Sequence, residues 1–508
     1  MKNLRWQKLL LIFIIFIAFL LRIVDLNNWP AFFIPDEAIN GYEAYSILKT
    51  GKDHWGNPWP IFFEGFSKIY DNRPPLFIYS LVPFVAVFGL NELAVRLGAV
   101  VWGILTVLMA YYLAKELFKK EEVGLLAAFF LAISPWHIFL SRYAHEAIPA
   151  PFFSSLGIFL LLKGLKNKKF FIMSAIPLAL TLYSYSVTKV FIPLLLIIFL
   201  IIYRKEIIKL KEYIIFPFLI FLIITIPFLY FNLIKWNQVQ ARFNQISIFN
   251  YSYWPFLFIL HLFSYLSPAF LFNNYLFFII VLALLGIYFL WQKRKEREVQ
   301  FLFLVIVISV VPAALTIPNP HVIRSVLLLP FFEIIAAYGC WRFFNCLKRT
   351  KIEKKKILFF SSIIFLVFLS LNLLFLLKNN YPYNFKEIYY EFGFREIIHY
   401  IKENQAQYDK VVFSTKTTPT YYIYLLFYLK YPPKQFQSLI KSEKEIYSPD
   451  GLRIIDSFDK YKFCNLADCY SPKENNLYVA KNDELGNLKA KKIFYNVDGS
   501  ILKIITND

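Results

Sequence analysis

The first long apolar run of the chain is LLLIFIIFIAFLLRIV, residues 9–24. This run is too long for the apolar core of a secretory signal peptide, and no small-residue cleavage site follows it before Pro35. We therefore expect it to be retained as a membrane-spanning helix. The rest of the chain agrees, because 58% of its 508 residues are apolar and 20% are aromatic, well above the usage of soluble domains.

The net charge of +21 comes from lysines and arginines that lie mainly in short loops between apolar runs. A nucleic-acid-binding surface would instead concentrate them on one face or helix, so we expect no nucleic-acid partner. Basic loops of membrane proteins lie preferentially in the cytoplasm, which places the N-terminus there. The basic loops are residues 2–8, 115–120, 163–169, 204–211, 293–297 and 348–356.

Between successive cytoplasmic loops the chain must cross the membrane an even number of times, which predicts eleven spans in a multi-pass plasma-membrane protein. Two further apolar runs, residues 76–90 and 255–272, are interrupted by prolines and polar residues. We interpret them as helices lying in the outer headgroup layer, although an additional pair of spans is the alternative. The predicted spans are residues 9–24, 96–114, 123–140, 149–163, 170–187, 188–203, 214–232, 275–291, 301–316, 325–343 and 357–377.

After the last predicted span the composition becomes mixed and polar. A helical pattern at residues 385–404, a strand-like segment at 410–414 and a helical or buried run at 420–429 predict a soluble α/β domain outside the membrane. Cys464 and Cys469 lie in this part and could form a disulfide in an oxidising exterior, or all four cysteines of the chain could be unpaired.

The predicted fold class is thus a polytopic α-helical membrane protein with about eleven spans, outer interfacial helices and a C-terminal soluble α/β domain. We expect the membrane domain to occupy residues 1–377, with a first outer loop and its interfacial helices at residues 25–95. The extracytoplasmic α/β domain would then occupy residues 378–508.

An acidic pair, Asp36-Glu37, lies in the first outer loop. Pro35 suits the first turn of a helix and Gly51 suits its end, which predicts a helix over residues 36–49. Backbone N–H groups at a helix N-terminus favour an ionised carboxylate, the state that a general base needs before it takes a proton from a hydroxyl. The alternative is that Asp36 only caps the helix and that Glu37 is its solvated neighbour.

The other polar groups in or beside the predicted outer loops are mostly cationic. Such surroundings suit transfer from an anionic phosphate donor, because arginines stabilise the charge that grows on the leaving oxygen while an acid activates the incoming hydroxyl. Arg73 and Arg324 are the stronger candidates for this role, whereas we interpret Lys189 and Arg242 as contacts to lipid headgroups. The full set is Arg73, Arg142, His145, Glu146, Lys189, Arg242, His321 and Arg324.

In their order and spacing these segments resemble the GT-C membrane glycosyltransferases that use polyprenyl-phosphate sugars. This group contains the protein O-mannosyltransferases of glycosyltransferase family 39 and the lipid A aminoarabinose transferases. The resemblance covers about residues 9–338, and the tail matches only as an outer domain. The matching segments are Asp36-Glu37, Arg73-Pro74-Pro75-Leu76, Asn91-Glu92-Leu93-Ala94-Val95-Arg96, Ser141-Arg142-Tyr143-Ala144-His145-Glu146, and His321-Val322-Ile323-Arg324 with Leu329-Pro330.

The resemblance implies an inverting transfer of a sugar from a polyprenyl-phosphate donor to a hydroxyl of a protein, lipid or glycan acceptor at the outer membrane face. It assigns the catalytic acids to Asp36, as the base, and to Glu37. It also assigns the donor phosphate to Arg73, Arg324 and Arg142.

Glu146 would be a second acid near the phosphate, where relatives often have aspartate. Glu146, His145 and Glu43 could supply a divalent-metal site, but arginines can serve instead, so no cofactor is certain.

No glycine-rich phosphate loop and no Rossmann pattern is present, which agrees with a donor carried by a membrane lipid. A transporter or flippase of lipid-linked glycans is the main alternative. Transporters place ionisable groups in mid-membrane, often in matching halves, whereas these spans carry few charges, with Glu333 as the main exception. A noncatalytic envelope scaffold would explain the tail but not the acidic loop.

Overall fold

The computed structural model describes residues 2–30, 32–66, 72–347, 394–416, 421–440, 446–447, 453–481, 484, 490–495 and 501–506. The chain forms two compact units. The first comprises Met1–Val24, Ala99–Trp236 and Phe243–Tyr381, and the second comprises Asp25–Gly98, Asn237–Arg242 and Pro382–Asp508. The first outer loop therefore groups with the C-terminal region. The predicted domain boundary between residues 377 and 378 lies outside the described residues.

Helices make up most of the described residues. Up to residue 347 the α-helices are α1 (Lys2–Ile23), α2 (Pro35–Thr50), α3 (Pro75–Phe88), α4 (Glu92–Phe118), α5 (Glu121–Ala132), α6 (Pro135–Arg142), α7 (Pro149–Gly164), α8 (Lys168–Met173), α9 (Ala175–Leu182), α10 (Thr188–Ile202), α11 (Arg204–Lys209), α12 (Ile215–Ile234), α13 (Trp236–Ile246), α14 (Trp254–Ser264), α15 (Pro268–Asn274), α16 (Phe277–Trp291), α17 (Arg297–Ala314) and α18 (Phe331–Leu347).

Within the described residues, five helical stretches are long and apolar enough to cross a membrane, and two bent helix pairs raise the number to seven if each pair is one span. The pairs are α5 with α6, bent by 59°, and α14 with α15, bent by 42°. α3, α7, α10 and α16 are shorter apolar helices. The chain is thus a polytopic helical membrane protein. The five stretches are Arg5–Ile23, Glu92–Phe118, Lys211–Ile234, Arg297–Ala314 and Val326–Leu347.

The predicted count of eleven spans stays a prediction. The predicted spans at 149–163, 188–203 and 275–291 correspond to the shorter helices α7, α10 and α16, and the one at 357–377 lies outside the described residues. The predicted span at 170–187 is divided at Ser174 into α8 and α9. The apolar runs at 76–90 and 255–272 are α3 and the bent pair α14–α15, and their location in the headgroup layer also stays a prediction.

The bend between α5 and α6 has a local cause. Pro135 is the first residue of α6, and the preceding Ser134 has the extended backbone (ψ 118°) that a following proline favours. Arg22 of α1 binds the end of α5 that this break leaves open, because its guanidinium donates to Ala132 O (3.0 Å) and Leu131 O (3.3 Å). Arg22, the charged residue inside the first predicted span, therefore donates hydrogen bonds to carbonyl oxygens at the broken end of α5.

The second unit contains a mixed six-stranded sheet in the order β6-β7-β3-β8-β10-β9, in which β3 runs parallel to both neighbours. Three helices, α19 (Phe394–Asn404), α20 (Tyr421–Tyr428) and α21 (Pro433–Ile440), and the short α22 (Leu466–Cys469) belong to the same region. The strands in the part of the chain that the structure describes are β1 (Phe63–Glu64), β2 (Asn72–Arg73), β3 (Lys410–Ser414), β4 (Ile446–Tyr447), β5 (Arg453–Ile454), β6 (Ser457–Phe458), β7 (Tyr461–Cys464), β8 (Asn476–Lys481), β9 (Ala490–Tyr495) and β10 (Ile501–Thr506).

The C-terminal region is therefore the predicted α/β structure. β3 coincides with the predicted strand, α20 with the predicted run at 420–429, and α19 with the described part of the predicted helix at 385–404. Cys464 and Cys469 form a disulfide between the end of β7 and α22, whereas Cys340 and Cys346 carry free thiols.

Candidate active site

The helix that carries the acidic pair is α2. As predicted, Pro35 is its first residue, and Gly51, with φ 67°, ends it in the left-handed conformation that glycine adopts without strain. Ile34 holds the N-cap position, and its backbone N–H donates to Glu37 Oε2 (3.4 Å). The carboxylate that returns to the helix start is thus that of Glu37, and Asp36 lies in the first turn beside it.

Asp36 contacts Arg73. The Nη2 atom of Arg73 lies 2.5 Å from Asp36 Oδ1, and the arginine is nearly buried. Two local features fix Arg73: β2 pairs with β1 in the register Phe63 to Arg73, and the guanidinium lies 5.2 Å from the Phe66 ring centroid. A guanidinium in contact with a carboxylate favours its ionised form. The predicted base and a predicted phosphate ligand are thus side by side.

Glu37 forms a second ion pair, with Arg96 of α4, and this pair is fully buried. Arg96 Nε lies 3.1 Å from Glu37 Oε1. The same guanidinium donates to several backbone oxygens of residues 26–32. Glu37 is therefore enclosed and neutralised by Arg96, an environment that suits orientation of the helix start better than proton transfer to a substrate.

Glu43 is a fully buried residue of α2 that forms hydrogen bonds with His54. His54 was not among the residues predicted from the sequence. Glu43 Oε1 lies 2.5 Å from His54 Nδ1, and Glu43 Oε2 accepts from the His54 backbone N–H (2.9 Å). Burial raises the pKa of Glu43 well above its usual range. Burial also raises the pKa of the neighbouring Asp53 to about 6, with a further contribution from the charge of Glu43.

The first unit holds the other predicted catalytic and phosphate-binding residues, Arg142, His145, Glu146 and Arg324. Arg142, the last residue of α6, donates to Leu21 O (3.1 Å) and Val24 O (2.8 Å) at the end of α1. A cationic side chain there binds helix carbonyls that have no partner within the helix. These two donors of Arg142 thus hold α1 and α6 together.

His145 and Glu146 follow α6 in the loop before α7. His145 Nδ1 lies 3.4 Å from Glu146 Oε2 and accepts from the Ala147 backbone N–H (3.1 Å). The His145 ring meets the Tyr185 ring edge-on, with centroids 5.7 Å apart. The pair is largely buried, so its orientation is set by packing.

Arg324 lies in the loop between α17 and α18. Its Nη1 donates to Thr316 Oγ1 (3.0 Å) and Ile317 O (2.8 Å), and its backbone N–H donates to His321 Nδ1 (3.3 Å). His321 is held in turn, because its N–H donates to the Tyr265 hydroxyl (3.2 Å). Hydrogen bonds within this loop, and from His321 to Tyr265, thus fix the position of the Arg324 guanidinium.

The residues suggested as metal ligands pair with partners inside their own units. Glu43 belongs to the second unit and bonds His54, whereas His145 and Glu146 pair in the first. Throughout the described ranges, no group of three or more His, Cys, Asp or Glu side chains could hold a metal ion. Asp36 and Glu37 also bind arginines of the chain. Among the described residues these donors thus form no cation site, and no chemical step is assigned to a metal ion.

The contacts of Arg96 and Glu92 were missed by the sequence analysis. Both residues lie in the segment at 91–96 that was noted for its resemblance alone. Glu92 binds Arg395, and the Tyr428 hydroxyl donates to Glu92 Oε1 (2.5 Å). The available signal was a charged pair at i and i+4 at the start of a long apolar run, because such groups need partners when buried.

Part of this chain is similar in sequence to known proteins. Residues 72–231 match the family described as dolichyl-phosphate-mannose-protein mannosyltransferase. A protein of Aquifex aeolicus described as uncharacterized is 24% identical over 363 residues, which cover 68% of this chain and 66% of that protein. That match thus spans just under two thirds of the relative.

Two solved membrane-protein structures also align with this chain. The apo structure of ArnT from Cupriavidus metallidurans aligns with a TM-score of 0.60 at 12% identity, over 100% of this chain and 99% of that one. The Archaeoglobus fulgidus oligosaccharyltransferase, tethered with an acceptor peptide, aligns with a TM-score of 0.56 at 14% identity, over 83% of this chain and 63% of that one. The chain is thus a multi-pass membrane protein with the GT-C glycosyltransferase fold, as the resemblance implied.

Proposed function

We propose that this protein is an inverting glycosyltransferase that moves a sugar from a polyprenyl-phosphate donor to an acceptor hydroxyl at the outer face of the plasma membrane. The contact between Asp36 and Arg73 carries the proposal. It pairs a partly exposed carboxylate with a fixed cation, and these are the two groups that transfer from a phosphate donor requires.

In the proposed reaction the Asp36 carboxylate takes the proton of the acceptor hydroxyl. The acceptor oxygen attacks the anomeric carbon, and the bond from that carbon to the phosphate oxygen breaks. The lipid phosphate leaves with the electron pair. Arg73 orients Asp36 and provides positive charge close to the growing negative charge.

Arg324 is the proposed contact to the donor phosphate, because a cross-linked loop fixes its guanidinium. Arg142 would support the loop that carries His145 and Glu146, since two of its donors bind α1. We propose Glu146 as a second acid near the phosphate, oriented by His145. Glu37 would orient the start of α2.

A lipid carrier is supported by the lipids bound in two structurally similar proteins. An ArnT structure contains undecaprenyl phosphate, and an archaeal oligosaccharyltransferase structure contains dolichol-phosphate with an inhibitory peptide. The proposed acceptor is a protein, lipid or glycan. The disulfide between Cys464 and Cys469 supports an oxidising exterior for the C-terminal domain at 378–508, with the N-terminus of the membrane domain at 1–377 in the cytoplasm.

The test uses purified full-length protein and synthetic polyprenyl-phosphate sugars, with sugar release or transfer as the readout. Asp36→Asn keeps the shape of the side chain and loses its basicity, so we expect kcat to fall by about 10²- to 10⁴-fold with donor binding retained. Arg324→Ala should weaken donor binding as well. Asp409→Asn, the same change at an exposed aspartate, is the control. If Asp36→Asn kept most of its activity, Asp36 would not be the base.

One observation favours the transporter as a second candidate. Glu333, near the start of α18, is fully buried, and within the described part of the chain neither of its carboxyl oxygens has a hydrogen-bond partner. Ionisable groups inside membrane helices often mark transport pathways. Movement of lipid-linked glycans in vesicles, with no turnover of any donor, would support this candidate.

A further inference from the structure

The second unit contains a polar connection between α2, which carries Asp36, and the C-terminal region, fully buried at Arg96 and partly exposed at Arg395. The first turns of α4 provide it through Glu92 and, one turn later, Arg96. Side chains at i and i+4 lie on the same face of a helix. Of these two, Arg96 binds the segment that leads to Asp36, and Glu92 binds α19 and α20.

Arg96 collects an unusually large set of acceptors. Its Nη1 donates to Leu26 O (2.9 Å) and Pro30 O (3.1 Å), its Nη2 donates to Phe32 O (2.6 Å), and its Nε donates to Glu37. The side chain is completely buried. These acceptors lie immediately before α2 and in its first turn. One guanidinium therefore sets the direction in which the chain enters the Asp36 helix.

Only arginine can make this set of contacts. Its planar guanidinium has five donors in a fixed fork, whereas a lysine ammonium has three donors on a single atom. A lysine at position 96 would keep the charge near Glu37 but leave buried carbonyl oxygens without donors. The expected consequence is a displaced or mobile segment ahead of α2 rather than a lost ion pair.

Glu92 fixes the start of α4 to the C-terminal region. Arg395 of α19 binds both carboxylate oxygens of Glu92, with 2.7 Å from its Nε to Oε1, and Tyr428 of α20 donates to Oε1. Arg395 Nη2 also donates to Asn27 O (3.3 Å), in the same segment that Arg96 binds. The C-terminal region thus contacts the approach to α2 twice, once directly and once through α4.

We propose that Arg96 is a positioning residue of the transfer reaction, and that the C-terminal region takes part in catalysis by holding the Arg96 helix through Arg395, Tyr428 and Glu92. This inference rests on the proposed function, because it requires Asp36 to be the base. The C-terminal region would then affect the rate of turnover, independently of any role in recognising the acceptor.

The first test is Arg96→Lys in the full-length protein. Misplacement of a catalytic group by about 1 Å can cost on the order of 100-fold in rate, so we expect kcat to fall by about 10- to 100-fold. The donor KM should change by less than about threefold, because no proposed donor contact is removed. The matched control is Arg297→Lys, at a partly exposed arginine that pairs with Glu206 in the first unit, and it should leave kcat unchanged.

The second test separates positioning from a general loss of folding. Glu92→Arg and Arg395→Glu should each lower kcat by about tenfold, and the double variant, which restores opposite charges, should recover at least about a third of the wild-type kcat. Glu474→Gln, at an exposed ion pair with Lys410, is the control in the same unit. Single variants with normal kcat, or folded single variants with no recovery in the double, would overturn the role of the C-terminal region.

The outcomes also separate this inference from the proposed function. An inactive Asp36→Asn together with Arg96→Lys at wild-type kcat would overturn the positioning role and leave the base assignment in place. An active Asp36→Asn would overturn the proposed function itself. If Arg96→Lys does not fold, the Glu92 and Arg395 variants decide the inference on their own.

Discussion

Asp36 and Arg73 differ in exposure although their side chains touch. The aspartate side chain is 31% exposed and the arginine side chain only 5%. The cation is therefore fixed by its surroundings, through β-pairing of Arg73 and the Phe66 ring, while the carboxylate stays accessible. A base needs this combination, because it must reach a substrate proton and remain ionised until the substrate arrives.

The choice of these two residues was possible from local sequence. Pro35 and Gly51 mark the ends of α2, and an arginine before two prolines is a recognisable segment. Their contact was not predictable, since it joins residues 37 positions apart. Glu43 shows more clearly that local sequence does not predict contact partners. Its partner is His54, because the loop after α2 folds back on the helix through bonds such as Trp59 N–H to Gly51 O (3.0 Å).

Asp53 makes stability depend on pH. Burial raises its folded-state pKa from 3.8 to about 6, so the unfolded chain releases this proton at lower pH than the folded protein does. The contribution of this group is therefore most favourable below pH 4 and is lost as the pH rises to about 6. The full effect is at most about 3 kcal/mol. We expect a higher melting temperature at pH 4.5 than at pH 7 from this group.

The measurement compares wild type and Asp53→Asn. Both should be unfolded thermally in the same detergent at the two pH values, and the wild type should lose more stability on going to pH 7. The amide keeps an oxygen that can accept from the Asn57 backbone N–H, which Asp53 Oδ1 now accepts at 2.7 Å. Equal pH dependence in the two proteins would show that Asp53 titrates at the same pH in the folded and unfolded states.

Among the elements, helix limits set by proline and glycine were predictable. α2 was predicted over residues 36–49 and runs from Pro35 to Thr50. The span at 123–140 was predicted as continuous, although Pro135 lies within it, and the structure bends there by 59°. The bend can persist because Arg22 binds the exposed carbonyl oxygens of α5, a partnership across more than a hundred residues that local pattern does not reveal.

The packing of α2 gives a prediction at Gly41. A Cβ atom there would lie 2.6 Å from Val95 Cγ2 and 2.7 Å from Phe427 Cε2, closer than carbon atoms can approach. Gly41→Ala should therefore destabilise the protein by about 1–3 kcal/mol, measured as a lower melting temperature. The second replacement Phe427→Leu should recover part of the loss by making room.

The control for this prediction is Ala86→Val, an added volume at an exposed position of α3, which should have little effect on melting. Gly41→Ala should also lower kcat, because α2 would move together with Asp36. A variant that melts and turns over like the wild type would mean that α2 is not tightly packed between α4 and α20.

At the scale of the whole molecule, composition and loop charge were sufficient for the fold class. They could not reveal that residues 25–98 form one unit with the C-terminal region. That association depends on pairs such as Gln437 Nε2 to Asp53 O (2.8 Å) and Tyr42 OH to Tyr431 O (2.9 Å). Each joins polar groups that, seen in sequence alone, could equally face water. The C-terminal region is accordingly a structural partner of the acidic loop rather than a separate appendage.

The predicted topology places this second unit outside the membrane, and cysteine labelling tests it. Trp59→Cys introduces a thiol at a 66% exposed position in the first outer loop, and Lys295→Cys introduces one in an exposed part of a basic loop. Both are made with Cys346→Ser, which removes the exposed native thiol, since Cys340 is buried and the other two cysteines form a disulfide.

In intact cells a membrane-impermeant maleimide should label Trp59→Cys at once, and Lys295→Cys only after permeabilisation, because basic loops lie in the cytoplasm. The parent with Cys346→Ser alone should stay unlabelled in both conditions. Labelling of Trp59→Cys only in permeabilised cells would put Asp36 on the cytoplasmic side. Transfer at the outer face would then be impossible, whatever the activity of the purified protein, because the base and the acceptor would be separated by the bilayer.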